Sequence, residues 1–268
     1  MKRHCFSYSI GQVTPYIDWS YLLHAWGIGS NGTQATEEVI RDAKEMLCTL
    51  DGRYCTKGIF ALCDARSKDD NIIIEGTILP LLRQQHSLDG TPNLCLSDFV
   101  SPQSDKIGLF ATSVDATFGQ EYINDEYSHL LAQTLADRLA EATATLLHKQ
   151  VRTDKALWGY SPDERLTIED LLAENNQGIR PAVGYPSLPD QSIIFIVDRL
   201  LGLGNAGITL TTSGAMHPHA SVCGVMIAHP AARYFTVGKI DRKQLCDYAG
   251  RRGTSPEAIA KFLTKNLE

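Results

Sequence analysis

The sequence lacks the signatures of several common classes of protein. Its seven cysteines include no Cys-x-x-Cys pair, which excludes the usual zinc-binding and dithiol redox motifs. It has no P-loop, no Gly-x-Ser-x-Gly elbow and no recognisable Ser-His-Asp arrangement, so no motif indicates nucleotide hydrolysis or acyl transfer. Lysine and arginine form no long basic run, and apolar stretches such as residues 193–197 are far too short to span a bilayer.

What is present indicates a folded protein of ordinary composition. Of its 268 residues, 43% are hydrophobic, which suffices for a sizeable core. The formal net charge of −6 argues against a nucleic-acid partner, and residues 1–10 lack the apolar stretch of a signal peptide. We therefore expect a cytoplasmic protein that binds neither nucleic acid nor membrane. Because the sequence shows no repeat and no linker, we predict one domain over residues 1–268.

Hydrophobic periodicity predicts an α+β protein and not a series of βαβ units. The strongest helix prediction covers residues 121–150, where apolar residues recur at a period near 3.6. Thr36 and Thr167 are predicted helix caps, and Asp170 stands three residues after Thr167. The other predicted helices cover residues 20–26, 36–50, 166–175, 192–201, 241–249 and 256–263. The predicted strands cover residues 58–63, 71–76, 107–112, 208–212, 221–228 and 234–240, with a charged turn at 64–70 and a loop at 27–32.

The most informative segment reads Gly-Ile-Arg-Pro-Ala-Val-Gly-Tyr-Pro at residues 178–186. Its two prolines restrict their own φ and favour extended geometry at Arg180 and Tyr185, so the segment is stiff before any ligand binds. Gly184 allows close approach to the backbone. Arg180 offers a fork of donors that suits a carboxylate or a phosphate, beside the aromatic ring of Tyr185. The segment predicts a site for a small anionic ligand; the alternative is a surface turn whose arginine caps a carbonyl.

Two further patterns have structural as well as functional readings. Residues 202–207 match Gly-x-Gly-x-x-Gly, but a helical pattern precedes them and a β-branched one follows. A dinucleotide site needs the opposite order, so we interpret the match as a link from helix to strand. Asp137 and Glu141 are four residues apart on the long predicted helix and share one side of it. They form either a solvated acidic face or part of a site.

Several spaced motifs together indicate a family. The chain resembles the carboxy-terminal activation domain of cobalamin-dependent methionine synthase, which binds S-adenosylmethionine. The most specific similarities lie at residues 136–142, 158–160, 178–186 and 228–249, with weaker ones at 16–19, 82–85 and 95–100. The resemblance runs nearly end to end. It implies a central bent, mainly antiparallel sheet flanked by helices.

Three departures from the family pattern bear on this expectation. Val183 stands where the family commonly has proline, and residues 215–220 contain His217 and His219 where it often has Trp-Pro-Gly. Two histidines without further ligands make a poor metal site, so we predict no metal. The homocysteine, folate and cobalamin modules of the family do not appear in the sequence, and we expect another chain to supply them.

The resemblance also implies a binding site for S-adenosylmethionine. Arg180 would pair with the carboxylate of the ligand, and Asp18 or Glu141 would accept from its ammonium or its ribose. Backbone groups near Ala182 and Gly184 would meet the adenine. Tyr185 and Tyr234 would pack against the cationic ligand, with Glu174 and Asp137 as further candidates. The expected ligand-binding residues are Asp18, Glu141, Arg180, Ala182, Gly184, Tyr185 and Tyr234. No catalytic residue is expected, because the reactive atom belongs to cobalamin.

The function implied by the family is reductive methylation of cob(II)alamin to methylcobalamin, which reactivates a separately encoded methionine synthase. The expected partners are the cobalamin-binding core of that enzyme and a flavodoxin-like or other flavoprotein reductant, and no turnover is expected without the corrinoid partner. Three alternatives stay open. The chain could activate another corrinoid methyltransferase, act as a non-catalytic S-adenosylmethionine-binding regulatory module, or be an unrelated α+β scaffold that binds no such ligand.

Overall fold

The main sheet joins strands that are distant in the sequence. The computed structural model describes residues 1–28, 34–86 and 90–267. Its strands are β1 (Arg3–Ser9), β2 (Cys55–Lys68), β3 (Asn71–Ile74), β4 (Thr77–Pro80), β5 (Asp105–Val114), β6 (Thr209–Leu210), β7 (Met216–His217) and β8 (Ser221–Met226). The main sheet has the order β4-β3-β2-β5-β8, and β1 also pairs with β2; β6 and β7 form a separate ribbon. All of these pairs are antiparallel and the sheet is curled, which confirms the bent, mainly antiparallel sheet implied by the family resemblance.

The helices flank this sheet. They are α1 (Ile10–Val13), α2 (Trp19–Ala25), α3 (Gln34–Leu50), α4 (Glu126–Thr153), α5 (Ile168–Leu172), α6 (Ile194–Leu201), α7 (Arg242–Arg252) and α8 (Pro256–Ala260). Short 3₁₀ turns occupy Thr14–Tyr16, Leu96–Phe99, Gln120–Tyr122, Gln191–Ile193 and Leu203–Ala206. Within the described ranges, no helix combines the length and the apolarity needed to cross a bilayer.

The sheet is covered on both faces, because successive residues of a strand point to opposite sides. On β2, Ile59 packs into a core that includes α6, whereas the next residue, Phe60, packs into a core that includes α4. Phe60 lies opposite Phe110 of β5, and both are fully buried under α4. The long helix α4 therefore lies across β2, β5 and β8 and carries one wall of the site described below.

Most predicted helices are confirmed, with shifts at their ends. The longest one begins at Glu126, where the Asp125 side chain accepts from the amide of Ser128, and not at residue 121. Thr167 caps α5 in a capping box with Asp170, as predicted. Thr36 is not a cap, because α3 already begins at Gln34. Part of the predicted loop at 27–32 lies outside the described residues, which resume at 34.

The strand predictions were less accurate. β2 continues to Lys68, so the predicted charged turn at 64–70 is mostly strand: Ala65 is buried while the charged residues beside it alternate outwards. The strand predicted at 234–240 is wrong. Gly238 has φ +77 there, and the amide of Val237 donates to the Pro186 carbonyl oxygen at 3.0 Å instead of joining a ladder. The residues of β1 and β4 carried no strand prediction.

Candidate functional site

The stiff segment at residues 178–186 is fixed by pairing with the outer edge of β8. The amide and carbonyl of Ile179 exchange two hydrogen bonds of 2.9 Å with those of Ile227. Farther along, the amide of Val225 donates to the Pro181 carbonyl oxygen at 3.0 Å. The contact is so close that a Cβ atom on Gly224 would lie 2.1 Å from that oxygen. The extended geometry that the prolines favour is therefore used to extend the sheet.

This pairing places Arg180 with much of its hydrogen-bonding capacity unused. Its backbone amide donates to the Tyr234 hydroxyl at 2.9 Å, and Nη2 of its side chain donates to Oγ1 of Thr145 at 3.0 Å. Among the described residues, no carboxylate lies within salt-bridge distance of its guanidinium group. A half-buried arginine without a carboxylate partner is suited to bind an anionic ligand.

Arg180 lies on the wall of a cavity of about 700 Å³. The wall is formed by α4, by the turn around Asp18, by the end of α5 and by residues 234–236. Six of the seven residues expected from the sequence line it: Asp18, Glu141, Arg180, Ala182, Tyr185 and Tyr234. Residues that are far apart in the sequence thus meet in one space.

Gly184 is the seventh expected residue, and it is not part of this lining. It has φ +87, and its amide donates to the Leu188 carbonyl oxygen at 2.8 Å. A Cβ atom there would lie 2.4 Å from Oε1 of Gln191. Gly184 therefore shapes the turn that aims Tyr185 at the cavity, and its own N–H is already bonded.

Three carboxylates surround the cavity, and two of them are held by local contacts. Asp18 caps α2, because its Oδ1 accepts from the amide and the hydroxyl of Ser20. Glu141, on α4, accepts a short hydrogen bond from the Tyr185 hydroxyl. Glu174 follows α5 with φ +57, an uncommon conformation for a residue with a side chain. Removal from water raises the pKa of Glu174, and the charge of Arg180 opposes that rise.

Two tyrosine hydroxyls of the cavity, those of Tyr185 and Tyr234, stay protonated and form hydrogen bonds. The pKa of Tyr185 is raised, first by desolvation of the hydroxyl and then by the charge of Glu141. The pKa of Tyr234 is also raised by burial, although Arg180 partly offsets this. Tyr185 is nonetheless 49% exposed and Tyr234 38%, so parts of both rings face the open side of the cavity.

The chain matches the family model described as the activation domain of vitamin B12-dependent methionine synthase, over residues 9–253. That match covers most of the sequence. The chain belongs to this family. A solved structure described as the MetH reactivation domain bound to AdoHcy is 34% identical to it, with a TM-score of 0.91, and the alignment covers 100% of this chain and 90% of that one. The family and the fold expected from the sequence motifs are both confirmed.

The remaining predicted positions of this activation domain lie outside the cavity or at its edge. Asp137 is one turn from Glu141 on α4, and its Oδ1 lies 3.6 Å from Nε2 of His219. Burial raises the pKa of Asp137, and His219 opposes the rise. No group of three metal-ligating side chains exists within the part of the chain that the structure describes. Residues 202–207 link α6 to β6, in the helix-to-strand order that the sequence predicts.

Sequence reasoning missed two residues that shape the site. Thr145 follows Glu141 by four residues and so shares its helical face, a signal that was available in the sequence. Gly224 gave no such signal, because only the pairing of residues 178–183 with β8 shows why a side chain is excluded there. Arg138 and Tyr21 also line the cavity, and the Arg138 guanidinium lies 5.8 Å from the centre of the Tyr21 ring.

Proposed function

We propose that this activation domain binds S-adenosylmethionine in the cavity around Arg180 and presents its methyl group to cobalamin during reductive reactivation of methionine synthase. The observation that carries the proposal is an arginine with no carboxylate partner among the described residues, placed on a cavity of about 700 Å³ that carboxylates also line. This volume lies within the usual range for small-molecule sites. The AdoHcy of the similar solved structure supports it, because S-adenosylhomocysteine is what remains of S-adenosylmethionine after methyl transfer.

The donors and acceptors of the cavity fit the chemistry of this ligand. A carboxylate would take the guanidinium N–H groups that Arg180 does not use for Thr145. The α-ammonium and the ribose hydroxyls need acceptors, which Asp18, Glu141 and Glu174 supply at the wall. The sulfonium is a cation, which carboxylates and the faces of aromatic rings favour. We assign adenine to the backbone near Ala182, one of the residues of the stiff segment that line the cavity.

In this proposal the protein binds and orients, and it transfers no proton. S-adenosylmethionine would supply the methyl group as a cation and leave as S-adenosylhomocysteine, a reduced flavoprotein would supply one electron, and cob(II)alamin, as the substrate on the partner, would take up both. Arg180 would fix one end of the ligand, since the neighbouring Pro181 is held by β8 and the Arg180 side chain by Thr145. Tyr185 and its partner Glu141 would border the ligand on the exposed side and limit access of water. Holding the reacting groups in place is the contribution required of the chain.

The partners follow from the same proposal. Cobalamin would be carried by the cobalamin-binding core of methionine synthase, and a flavodoxin-like protein or another flavoprotein would supply the electron. The open side of the cavity, with the exposed rings of Tyr21 and Tyr185, is where we expect the corrinoid to approach.

Calorimetric titration with S-adenosylmethionine and S-adenosylhomocysteine tests the binding step. Arg180→Ala should lower the affinity by about tenfold or more, because a hydrogen bond to a charged group contributes roughly 1.5 to 3 kcal/mol. Arg233→Ala is the control, since Arg233 is exposed and does not line the cavity. Equal affinities of a folded Arg180→Ala variant and the wild type would contradict the site assignment.

A second assay tests the role in reactivation. A cobalamin-loaded methionine synthase core is mixed with the domain, S-adenosylmethionine and reduced flavodoxin, and the absorbance of methylcobalamin is followed. Formation of methylcobalamin that depends on the domain supports the proposal. Binding without any such stimulation would indicate a regulatory module, and stimulation of a different corrinoid methyltransferase only would indicate another partner.

A further inference from the structure

One face of α4 carries a column of polar residues that leads away from the cavity and is buried beyond Glu141. Its members follow helical spacing, and each contacts a residue from the part of the chain between 160 and 185. The contacts are Glu141 with Tyr185, Thr145 with Arg180, His148 with Tyr160, and Arg152 with Glu164. The first two pairs belong to the cavity wall. The third pair, one turn below Thr145, has no part in the proposed ligand contacts and needs its own explanation.

His148 is fully buried, and its Nε2 lies 2.9 Å from the Tyr160 hydroxyl. Its Nδ1 has no hydrogen-bond partner within the described residues. Burial lowers the pKa of His148 well below its usual value, and the charges of Arg152 and Arg180 lower it further. A buried N–H without a hydrogen-bond partner costs more free energy than a buried acceptor without one. We therefore assign the single ring proton to Nε2, which donates to the Tyr160 hydroxyl.

The Tyr160 hydroxyl is packed against the turn that precedes Arg180. Gly178 has φ +79, and a Cβ atom there would lie 2.8 Å from this hydroxyl and 2.6 Å from the Ile227 carbonyl oxygen. The hydroxyl also lies 3.5 Å from the Gln177 carbonyl oxygen, which is too long for more than a weak hydrogen bond. The turn is therefore confined between Tyr160 on one side and the backbone of β8 on the other.

We propose that His148 and Tyr160 are positioning residues that set the placement of Arg180 for ligand binding; this inference rests on the proposed function. Without the hydroxyl, the turn at Gly178 would lose one of its two confining contacts, and His148 would lose its partner. Arg180 is only two residues beyond Gly178, and its side chain reaches Thr145 on the same face of α4 as His148. A shift of the turn is therefore transmitted directly to the guanidinium group.

The test compares Tyr160→Phe with the wild type by calorimetric titration of S-adenosylhomocysteine. We expect a loss of affinity of about three- to tenfold, the effect of one net hydrogen bond. Tyr8→Phe is the matched control. The Tyr8 hydroxyl donates to Oε1 of Gln150 at 2.6 Å on the same helix, and Tyr8 does not line the cavity. Tyr8→Phe should lower the thermal midpoint of unfolding without changing the affinity.

A double-variant cycle separates positioning from general stability. If Tyr160 acts through Arg180, adding Tyr160→Phe to Arg180→Ala should change the affinity by less than about twofold. His148→Gln should restore most of the affinity that His148→Leu loses, because the glutamine amide can still donate to Tyr160. The comparison of His148→Gln with His148→Leu provides the test if Tyr160→Phe does not fold.

Each outcome has a distinct meaning. Unchanged affinity of Tyr160→Phe, beside a weakened Arg180→Ala variant, would overturn the positioning role and leave the proposed function intact. The role would also be overturned if Tyr160→Phe lowered the affinity equally in the wild type and in the Arg180→Ala variant, because the effect would then not depend on Arg180. No binding by the wild-type domain would contradict the proposed function, and the positioning role would fall with it.

Discussion

Gly224→Ala should weaken both the fold and the candidate site, although it adds only one methyl group. In the structure that Cβ atom would lie 2.1 Å from the Pro181 carbonyl oxygen and 2.8 Å from the Cα atom of Ala182. Even close carbon–oxygen contacts are about 3.3 Å, so residues 181–182 and β8 must separate by roughly 1 Å. The backbone of Gly224 has no positive φ, and the predicted cost is therefore steric.

Two hydrogen bonds flank this contact and should be lost or lengthened. They run from the amide of Val225 to the Pro181 oxygen at 3.0 Å and from the amide of Val183 to the Cys223 oxygen at 2.9 Å. With about 1 kcal/mol for each bond and a further contribution from overpacking, the free energy of unfolding should fall by about 2 to 4 kcal/mol. Because Arg180 precedes Pro181 directly, affinity for S-adenosylhomocysteine should also fall by at least about tenfold.

Chemical denaturation measures the first effect and calorimetric titration the second. Gly250→Ala makes the same chemical change within α7, where a Cβ atom would have no neighbour within 4 Å in the part of the chain that the structure describes. It should raise the free energy of unfolding by about 0.5 to 1 kcal/mol and leave the affinity unchanged. A Gly224→Ala protein with wild-type stability and affinity would refute the view that the edge of β8 holds the arginine.

Two further predictions concern the polar column of α4. Because the pKa of His148 is lowered in the folded state, unfolding takes up a proton below about pH 6.5, so stability should decrease as the pH falls. Between about pH 7.5 and 5.5 the free energy of unfolding should fall by about 1.4 kcal/mol from this cause. Denaturation curves should show this decrease for the wild type but not for His148→Gln. Arg152 and Glu164 form a buried pair at 2.7 Å, and Arg152→Met should lower the free energy of unfolding by about 3 to 5 kcal/mol. The double variant Arg152→Met/Glu164→Leu should recover most of this loss. If it does not, the loss in Arg152→Met does not arise from the unpaired buried charge of Glu164.

The sequence alone determined the elements whose signal is local. The apolar period of α4 and the capping box of Thr167 and Asp170 depend on neighbours within a turn or two, and both were predicted correctly. The stiffness around Arg180 is likewise a property of its own prolines and glycines. Together with the family motifs, these local signals were sufficient to name six of the residues that line the cavity.

Only the tertiary structure decided which segments pair and which conformational role each glycine has. Residues 234–240 have a strand-like pattern, but Val237 bonds to the turn at Pro186 and Gly238 interrupts the extended conformation. Residues 179–183, which carried no strand prediction, extend the edge of β8. The sequence predicts Gly184 as a ligand-contact residue, and only the fold shows that its amide is bonded within a turn. A sequence pattern records which faces of a segment are apolar and how stiff it is. The partner of each backbone edge depends on which edges the rest of the fold leaves open, and that is fixed only when distant segments pack together.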